Sequence, residues 1–232
     1  MLNLLKAVWI CSWAVVLTLA LFGPIVVAAL LGKRGDAAFH GTQVFAWCIL
    51  KVCGIRLRVT GKEHIQPDQK YVILSNHASY FDPPALVLSL GLQYRWVIKK
   101  ELRKVPLFGL ALETSRNLFI DRSKGSDALE SIKNGVAQLP DGTSILMFPE
   151  GTRSWDGELL PFKPGGFVIA GQSGLPILPV TVRGSHDRLP KGHAAFSPGV
   201  IDIVIHPPVV VGDEPIEPLM KAVRDTIGSA LS

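Results

Sequence analysis

Hydrophobic and polar positions follow three different rhythms along this chain. From Val8 to Leu31 the side chains are almost all apolar, interrupted by Ser12, Thr18, Gly23 and Pro24. About 20 such residues suffice for a spanning helix. Lys6 precedes the run and Lys33-Arg34 follows it, so basic flanks select no orientation. The length of the run, and the lack of a small-x-small site ahead of the basic pair, argue against a cleaved signal peptide. A second apolar segment, Ala37 to Gly54, holds Phe39, Val44, Phe45, Trp47, Cys48, Leu50 and Val52 among few charges. Gly23-Pro24 is expected to kink or break the first helix. Either the first segment spans the bilayer, or the two form a hairpin dipping into one leaflet, with Trp9, Trp13 and Trp47 near the interface. The split run and the apolar second segment favour the hairpin; a helix buried in the protein core is the third reading.

The second rhythm is strict alternation. Ile55, Leu57 and Val59 alternate with Arg56, Arg58 and Thr60, the period of a half-exposed strand, and Gly61 ends it. The third is a series of short apolar runs bounded by turn residues. These predict strands at 71–74, 95–98, 117–120, 144–148, 176–182 and 200–205. Between them lie helix patterns at 85–90, after Pro106 to about Leu112, from Ser126 to Leu139, from Gly165 through Ala170, and at 214–231. Alternating strands and helices predict an α/β fold, a mostly parallel sheet flanked by helices. The expected organisation is residues 1–54 as an N-terminal membrane-associating helical pair and 55–232 as the α/β domain.

Composition adds two constraints. The net charge of +5 is compatible with nucleic acid, anionic lipid or a phosphorylated substrate. The basic residues are scattered and the N-terminus is membrane-seeking, so nucleic acid is not the expected partner. Cys11, Cys48 and Cys53 have no metal-ligand spacing, which points to free thiols. His193 and His206 likewise have no partner at ligand spacing, and no metal is expected.

The candidate chemistry centres on Ser75-Asn76-His77-Ala78-Ser79-Tyr80-Phe81-Asp82-Pro83-Pro84. It delivers a His and an Asp at the carboxyl end of a predicted strand, where open α/β sheets place ligands. His77 is a candidate general base, and Asp82 a candidate for orienting its ring. Asp82-Pro83 is also a helix start, with Asp82 as N-cap and Pro83 at the first helical position; the two readings are compatible. Two further strands end in Asp121-Arg122 and in Glu150-Gly151-Thr152-Arg153. Lys99-Lys100-Glu101-Leu102-Arg103-Lys104 follows another. Parallel strands present their carboxyl ends on one side, so His77, Asp82, Arg122, Arg153 and the Gly151 turn describe a base beside an anion site. Singly, Arg122 reads as a surface salt bridge with Asp121 or Glu150, and 150–153 as a polar turn.

In order, these segments resemble the motifs of the glycerolipid acyltransferases. Asn76-His77 with four residues to Asp82, an HX4D motif, resembles the first. Phe119-Ile120-Asp121-Arg122 resembles the second, Phe148-Pro149-Glu150-Gly151-Thr152-Arg153-Ser154 the third, and Pro176-Ile177-Leu178-Pro179-Val180 the fourth. Lys99-Lys100-Glu101-Leu102 with Pro106 and Gly109 fits the segment between the first two. The resemblance runs from about Lys62 to Arg183 and is nearest to the branch that acylates 1-acyl-sn-glycerol 3-phosphate. It implies transfer of a fatty acyl group from acyl-CoA or acyl-carrier protein, as co-substrate and with no cofactor, to the sn-2 hydroxyl of lysophosphatidic acid. The product would be phosphatidic acid, and the step part of phospholipid biosynthesis. His77 would be the base and Asp82 its partner. Arg122 and Arg153 would hold the acceptor phosphate, with Lys100 a further candidate, and Glu150, Gly151 and Thr152 would shape the phosphate pocket. The enzyme would work at the cytoplasmic face of the cell membrane. Members often carry Gly where this chain has Arg116, which bears on the backbone before the 117–120 strand and on the acceptor headgroup. Two other readings are an acyltransferase for another lysolipid, such as lyso-ornithine lipid or lysophosphatidylglycerol, and a non-catalytic phospholipid-binding protein. No Gly-x-Ser-x-Gly elbow is present, in keeping with direct transfer without an acyl-enzyme.

Overall fold

A computed structural model describes residues 2–31, 36–105, 107–120, 134–137, 139–193, 195–212 and 215–231. Two helices open the chain, α1 (Leu2–Leu31) and α2 (Asp36–Val52). They are antiparallel: Gly41 of α2 abuts Ile25, and the Trp9 indole N–H donates to the Val52 carbonyl at 3.3 Å. A Cβ at Gly41 would stand 2.3 Å from Cγ1 of Ile25, so glycine is what lets the helices approach there.

The expected break at Gly23-Pro24 does not occur, and α1 runs through both residues. At 1.5 Å per residue it is about 45 Å long, more than a hydrocarbon core of about 30 Å. Its stretch Asn3–Val27 has mean hydropathy 2.3 and is only 6% buried, which removes the buried-helix reading. A bare apolar surface of that length makes this a membrane-associated chain. The second helix is different in kind. Phe39, Ala46, Ile49 and Leu50 sit in the core, while Val44 and Trp47 face outward. It packs between α1 and the sheet, so its apolar residues serve two opposite faces. Cys11, Cys48 and Cys53 are free thiols.

The described residues form a seven-stranded sheet of β1 (Ile55–Thr60), β2 (Val72–Ser75), β3 (Tyr94–Lys99), β4 (Leu118–Ile120), β5 (Ser144–Met147), β6 (Ile177–Arg183) and β7 (Gly199–Ile205). Their spatial order is β1-β7-β6-β2-β5-β3-β4. From β6 to β4 all strands are parallel. β7 pairs antiparallel with β6 and parallel with β1, so the outer two strands run the other way. Helices α3 (Asp82–Ser89), α4 (Phe108–Thr114), α5 (Gly165–Ser173), α6 (Ser185–Arg188) and α7 (Ile216–Ser229) connect and flank them.

Central strands are buried on both faces, which is why they read as unbroken apolar runs. In β2, Ile73 points into one core layer with α2 and α3, and Val72 and Leu74 into the other with α5 and α7. Edge strand β1 has β7 as its one neighbour among the described residues, and its alternation survives as Ile55 buried and Arg56 exposed. In α7, Leu219, Val223 and Ile227 recur every four residues and form its buried stripe. The predicted helix 126–139 lies largely outside the described residues.

Candidate active site

Neighbouring strands β2 and β5 carry the centre of the site. Their register pairs Leu74 with Met147, so three residues beyond that pair the chain reaches His77 and Glu150 at the same height. Oε1 of Glu150 accepts the main-chain N–H of His77 at 2.6 Å, and Oε2 accepts that of Leu160 at 3.0 Å. Asn76 fixes the same turn from the other side. Its amide donates to the Val182 carbonyl and accepts the Val182 N–H, both at 2.8 Å, continuing the β2–β6 pairing with a side chain. The Ser154 N–H then donates to the His77 carbonyl at 2.9 Å.

Asp82 is completely buried. Its Oδ2 accepts Nδ1–H of His77 at 2.7 Å and the N–H groups of Ala78 and Ser79 at 2.8 Å each. The proton therefore sits on Nδ1 and the neutral ring presents its lone pair at Nε2. Asp82 is not the N-cap. Phe81 occupies that position and makes no side-chain cap; Asp82 is the first helical residue, and its carboxylate turns back into the preceding loop. The loop N–H groups compete for the oxygen that a cap would give to the helix. Oδ1 of Asp82 has no hydrogen-bond partner among the described residues. The imidazole lies flat on Phe148, with ring centroids 3.8 Å apart and planes at 9°. Trp96 of β3 backs Phe148 at 5.7 Å.

Burial pushes the Glu150 carboxyl up to about 7; the Leu160 and His77 N–H groups act against that, and the Asp82 charge adds to it. Beyond Glu150 the chain turns at Gly151, whose φ of +74° is the left-handed region that glycine occupies without strain. The turn delivers Thr152 to the surface and the guanidinium of Arg153 onto the Tyr80 ring, 3.5 Å from its centroid. Nη1 of Arg153 is buried and has no partner among the described residues. The turn that carries the His77 base is thus bonded, through the Ser154 N–H, to the turn that carries the Arg153 cation.

The acyltransferase family profile matches residues 56–183, more than half of the sequence. The chain belongs to the acyltransferase family. It is 31% identical over 94% of its length to the 1-acyl-sn-glycerol-3-phosphate acyltransferase of Limnanthes douglasii, covering 79% of that protein. It is 37% identical over 67% of its length to the human enzyme named 1-acyl-sn-glycerol-3-phosphate acyltransferase alpha, covering 56% of that protein. Among solved structures, the 1-acyl-sn-glycerophosphate (LPA) acyltransferase PlsC of Thermotoga maritima superposes with a TM-score of 0.82 at 29% identity, covering 98% of this chain and 93% of that one.

In this acyltransferase the sequence-derived residues are placed unevenly. His77, Asp82 and Glu150 meet through hydrogen bonds, and Gly151, Thr152 and Arg153 follow on the same turn. Lys100 is exposed, at the start of the one-turn segment Lys100–Lys104 beyond the carboxyl end of β3. Arg122 lies outside the described residues. Gly109 belongs to the backbone: a Cβ there would fall 2.3 Å from the Arg103 carbonyl oxygen. The gap at Arg116 is met in the backbone as well. Arg116 adopts φ +57°, its N–H donates to Glu113 at 2.9 Å and that of Asn117 to Leu112 at 3.3 Å, which is a Schellman ending for α4. It lies before β4, away from the carboxyl edge that carries the site. Tyr80 and Phe148 were present in the motif stretches but carried no role there; their signal is adjacency, Tyr80 within the HX4D segment and Phe148 two residues before Glu150.

Proposed function

We propose that the chain transfers a fatty acyl group from a thioester to the sn-2 hydroxyl of lysophosphatidic acid, forming phosphatidic acid. The observation that carries this reading is the His77–Asp82 pair, on a turn bonded through the Ser154 N–H to the turn that carries Arg153. The names of the relatives, 1-acyl-sn-glycerol-3-phosphate acyltransferases from plants and mammals, support the acceptor. Nε2 of His77 takes the hydroxyl proton, and Asp82 stabilises the imidazolium. The oxygen forms a bond to the thioester carbonyl carbon, the C–S bond breaks, and the leaving thiolate takes the proton back from the ring. The flat contact with Phe148 keeps the imidazole in one plane. Arg153 binds the acceptor phosphate through its guanidinium, with Lys100 and Arg122 as further cations, and Thr152 borders the pocket.

The acyl donor is acyl-CoA or an acylated carrier protein, and no cofactor takes part. With α1 in the bilayer at the cytoplasmic face, a lipid acceptor and product need not leave the leaflet. The test is acyl transfer by detergent-solubilised protein from labelled oleoyl-CoA, and separately from acyl-carrier protein, to lysophosphatidic acid and a panel of other lysolipids. Phosphatidic acid made by the wild type and not by His77→Ala is expected. Transfer to another lysolipid alone would overturn the acceptor, and no transfer from either donor would overturn the activity.

A further inference from the structure

Beyond the family-matched segment, residues 189–192 form a strap tied to both turns of the site. The Ser79 hydroxyl donates to the Leu189 carbonyl at 2.8 Å, and Ser79 bridges Pro190. Two residues on, Nζ of Lys191 donates to the Thr152 hydroxyl at 3.2 Å and to the Arg153 carbonyl at 2.7 Å. The same ammonium lies 4.5 Å from the centroid of the Trp155 ring. Gly192 follows at φ +81°, and a Cβ there would meet Trp155 at 2.7 Å, so the strap lies flat on that ring.

Resting on the assignment of Arg153 to the acceptor phosphate, we propose that Lys191 is a positioning residue for binding of the acceptor phosphate. Its ammonium holds the Thr152 hydroxyl and the Arg153 carbonyl, and so holds the Arg153 guanidinium on Tyr80. The two fixings are complementary. Tyr80 locates the far end of the Arg153 side chain, and Lys191 locates its main chain. An arginine held at both ends presents its guanidinium in one place, and a phosphate then binds without first ordering a long side chain. Lys191 is 38 residues from Arg153 and touches neither His77 nor Asp82, so the effect falls on binding of the acceptor.

The test uses the full chain in detergent with Lys191→Met, Lys191→Arg, Arg153→Ala and the Lys191→Met/Arg153→Ala double variant, with folding checked by thermal midpoint. Lys191→Met is expected to raise KM for lysophosphatidic acid roughly tenfold, the scale of one charge-assisted contact. Its kcat and its KM for the thioester should stay within about twofold. Lys191→Arg should recover most of the loss. In the Arg153→Ala background Lys191→Met should add nothing, because the residue acts through Arg153. An unchanged KM in Lys191→Met, or a full additional loss in the double variant, overturns the proposal. If Arg153→Ala leaves KM for lysophosphatidic acid unchanged, the phosphate assignment itself has failed.

Discussion

The main-chain N–H of His77 donates to the buried carboxylate of Glu150 across 2.6 Å, and the second carboxylate oxygen is committed to the N–H of Leu160. The family resemblance has Glu150 shaping the acceptor-phosphate pocket. Its oxygens accept from backbone donors, and through them it clamps the first-motif turn to the third. Burial raises this carboxyl from 4.5 to about 7, so the folded chain holds a proton that the unfolded chain releases at lower pH. The resulting stabilisation is full below about pH 4.5 and is lost as pH rises through about 7. It amounts to about 3 kcal/mol. The stability advantage of wild type over Glu150→Gln should therefore shrink by about 3 kcal/mol between pH 4 and pH 8. Denaturation midpoints at four pH values in one detergent would measure it, and a constant difference would mean that Glu150 does not titrate in this window.

At Asp82, the N–H groups of Ala78 and Ser79 decide what an amide can do. Both point at the oxygen that also accepts from His77. An Asn side chain must turn its own oxygen toward them, leaving its NH2 at the unpartnered Oδ1 position. Asp82→Asn then keeps the His77 tautomer and loses only the negative charge. One hydrogen bond to a charged group contributes about 1.5–3 kcal/mol, so kcat should fall roughly 10- to 100-fold. Asp82→Ala, which frees the ring and strands two N–H groups, should cost far more. The kcat of both variants at saturating substrates checks this; a loss near 10⁴-fold in Asp82→Asn would instead indicate a tautomer error.

Much of this architecture was legible because apolar runs mark buried strands, and His77, Asp82, Glu150 and Arg153 follow such runs directly. What local pattern cannot carry is which strands pair. The meeting of His77 and Glu150 depends on the β2–β5 register, and the reversed direction of β7 on the connection 184–198, whose described residues include the four-residue α6. Lys191 was invisible for the same reason, since nothing near it in sequence points to Thr152. The break expected at Gly23-Pro24 failed for another reason. Proline penalises a helix locally, and α1 runs on through it.

Arg153 is the cation whose role the geometry states most narrowly. Its guanidinium is stacked on Tyr80, and no hydrogen bond among the described residues engages it. Arg153→Ala should raise KM for lysophosphatidic acid on the order of 10- to 100-fold and leave KM for the thioester nearly unchanged. Tyr80→Leu, which keeps the arginine and removes the ring face, should give a smaller shift of the same kind, because a cation–π contact is worth about 0.5–2 kcal/mol. Initial rates with each substrate varied in turn would separate the two KM values; equal effects on both would remove Arg153 from the acceptor phosphate.

The last prediction concerns Arg116, where the family resemblance leads one to expect glycine. Arg116 closes α4 in the left-handed region, where a Cβ is strained and glycine is not. Its side chain is exposed, and its charge opposes that of the buried Arg95. The Schellman hydrogen bonds are main-chain bonds and survive any side chain that tolerates φ +57°. Arg116→Gly should therefore stabilise the fold by about 1 kcal/mol, relief of strain exceeding the entropy that glycine adds to the unfolded chain. Since β4 separates Arg116 from the carboxyl edge of the sheet, both KM values should be unchanged. A thermal midpoint that falls, or a KM for lysophosphatidic acid that moves, would show that the arginine side chain does work at this position that its backbone does not reveal.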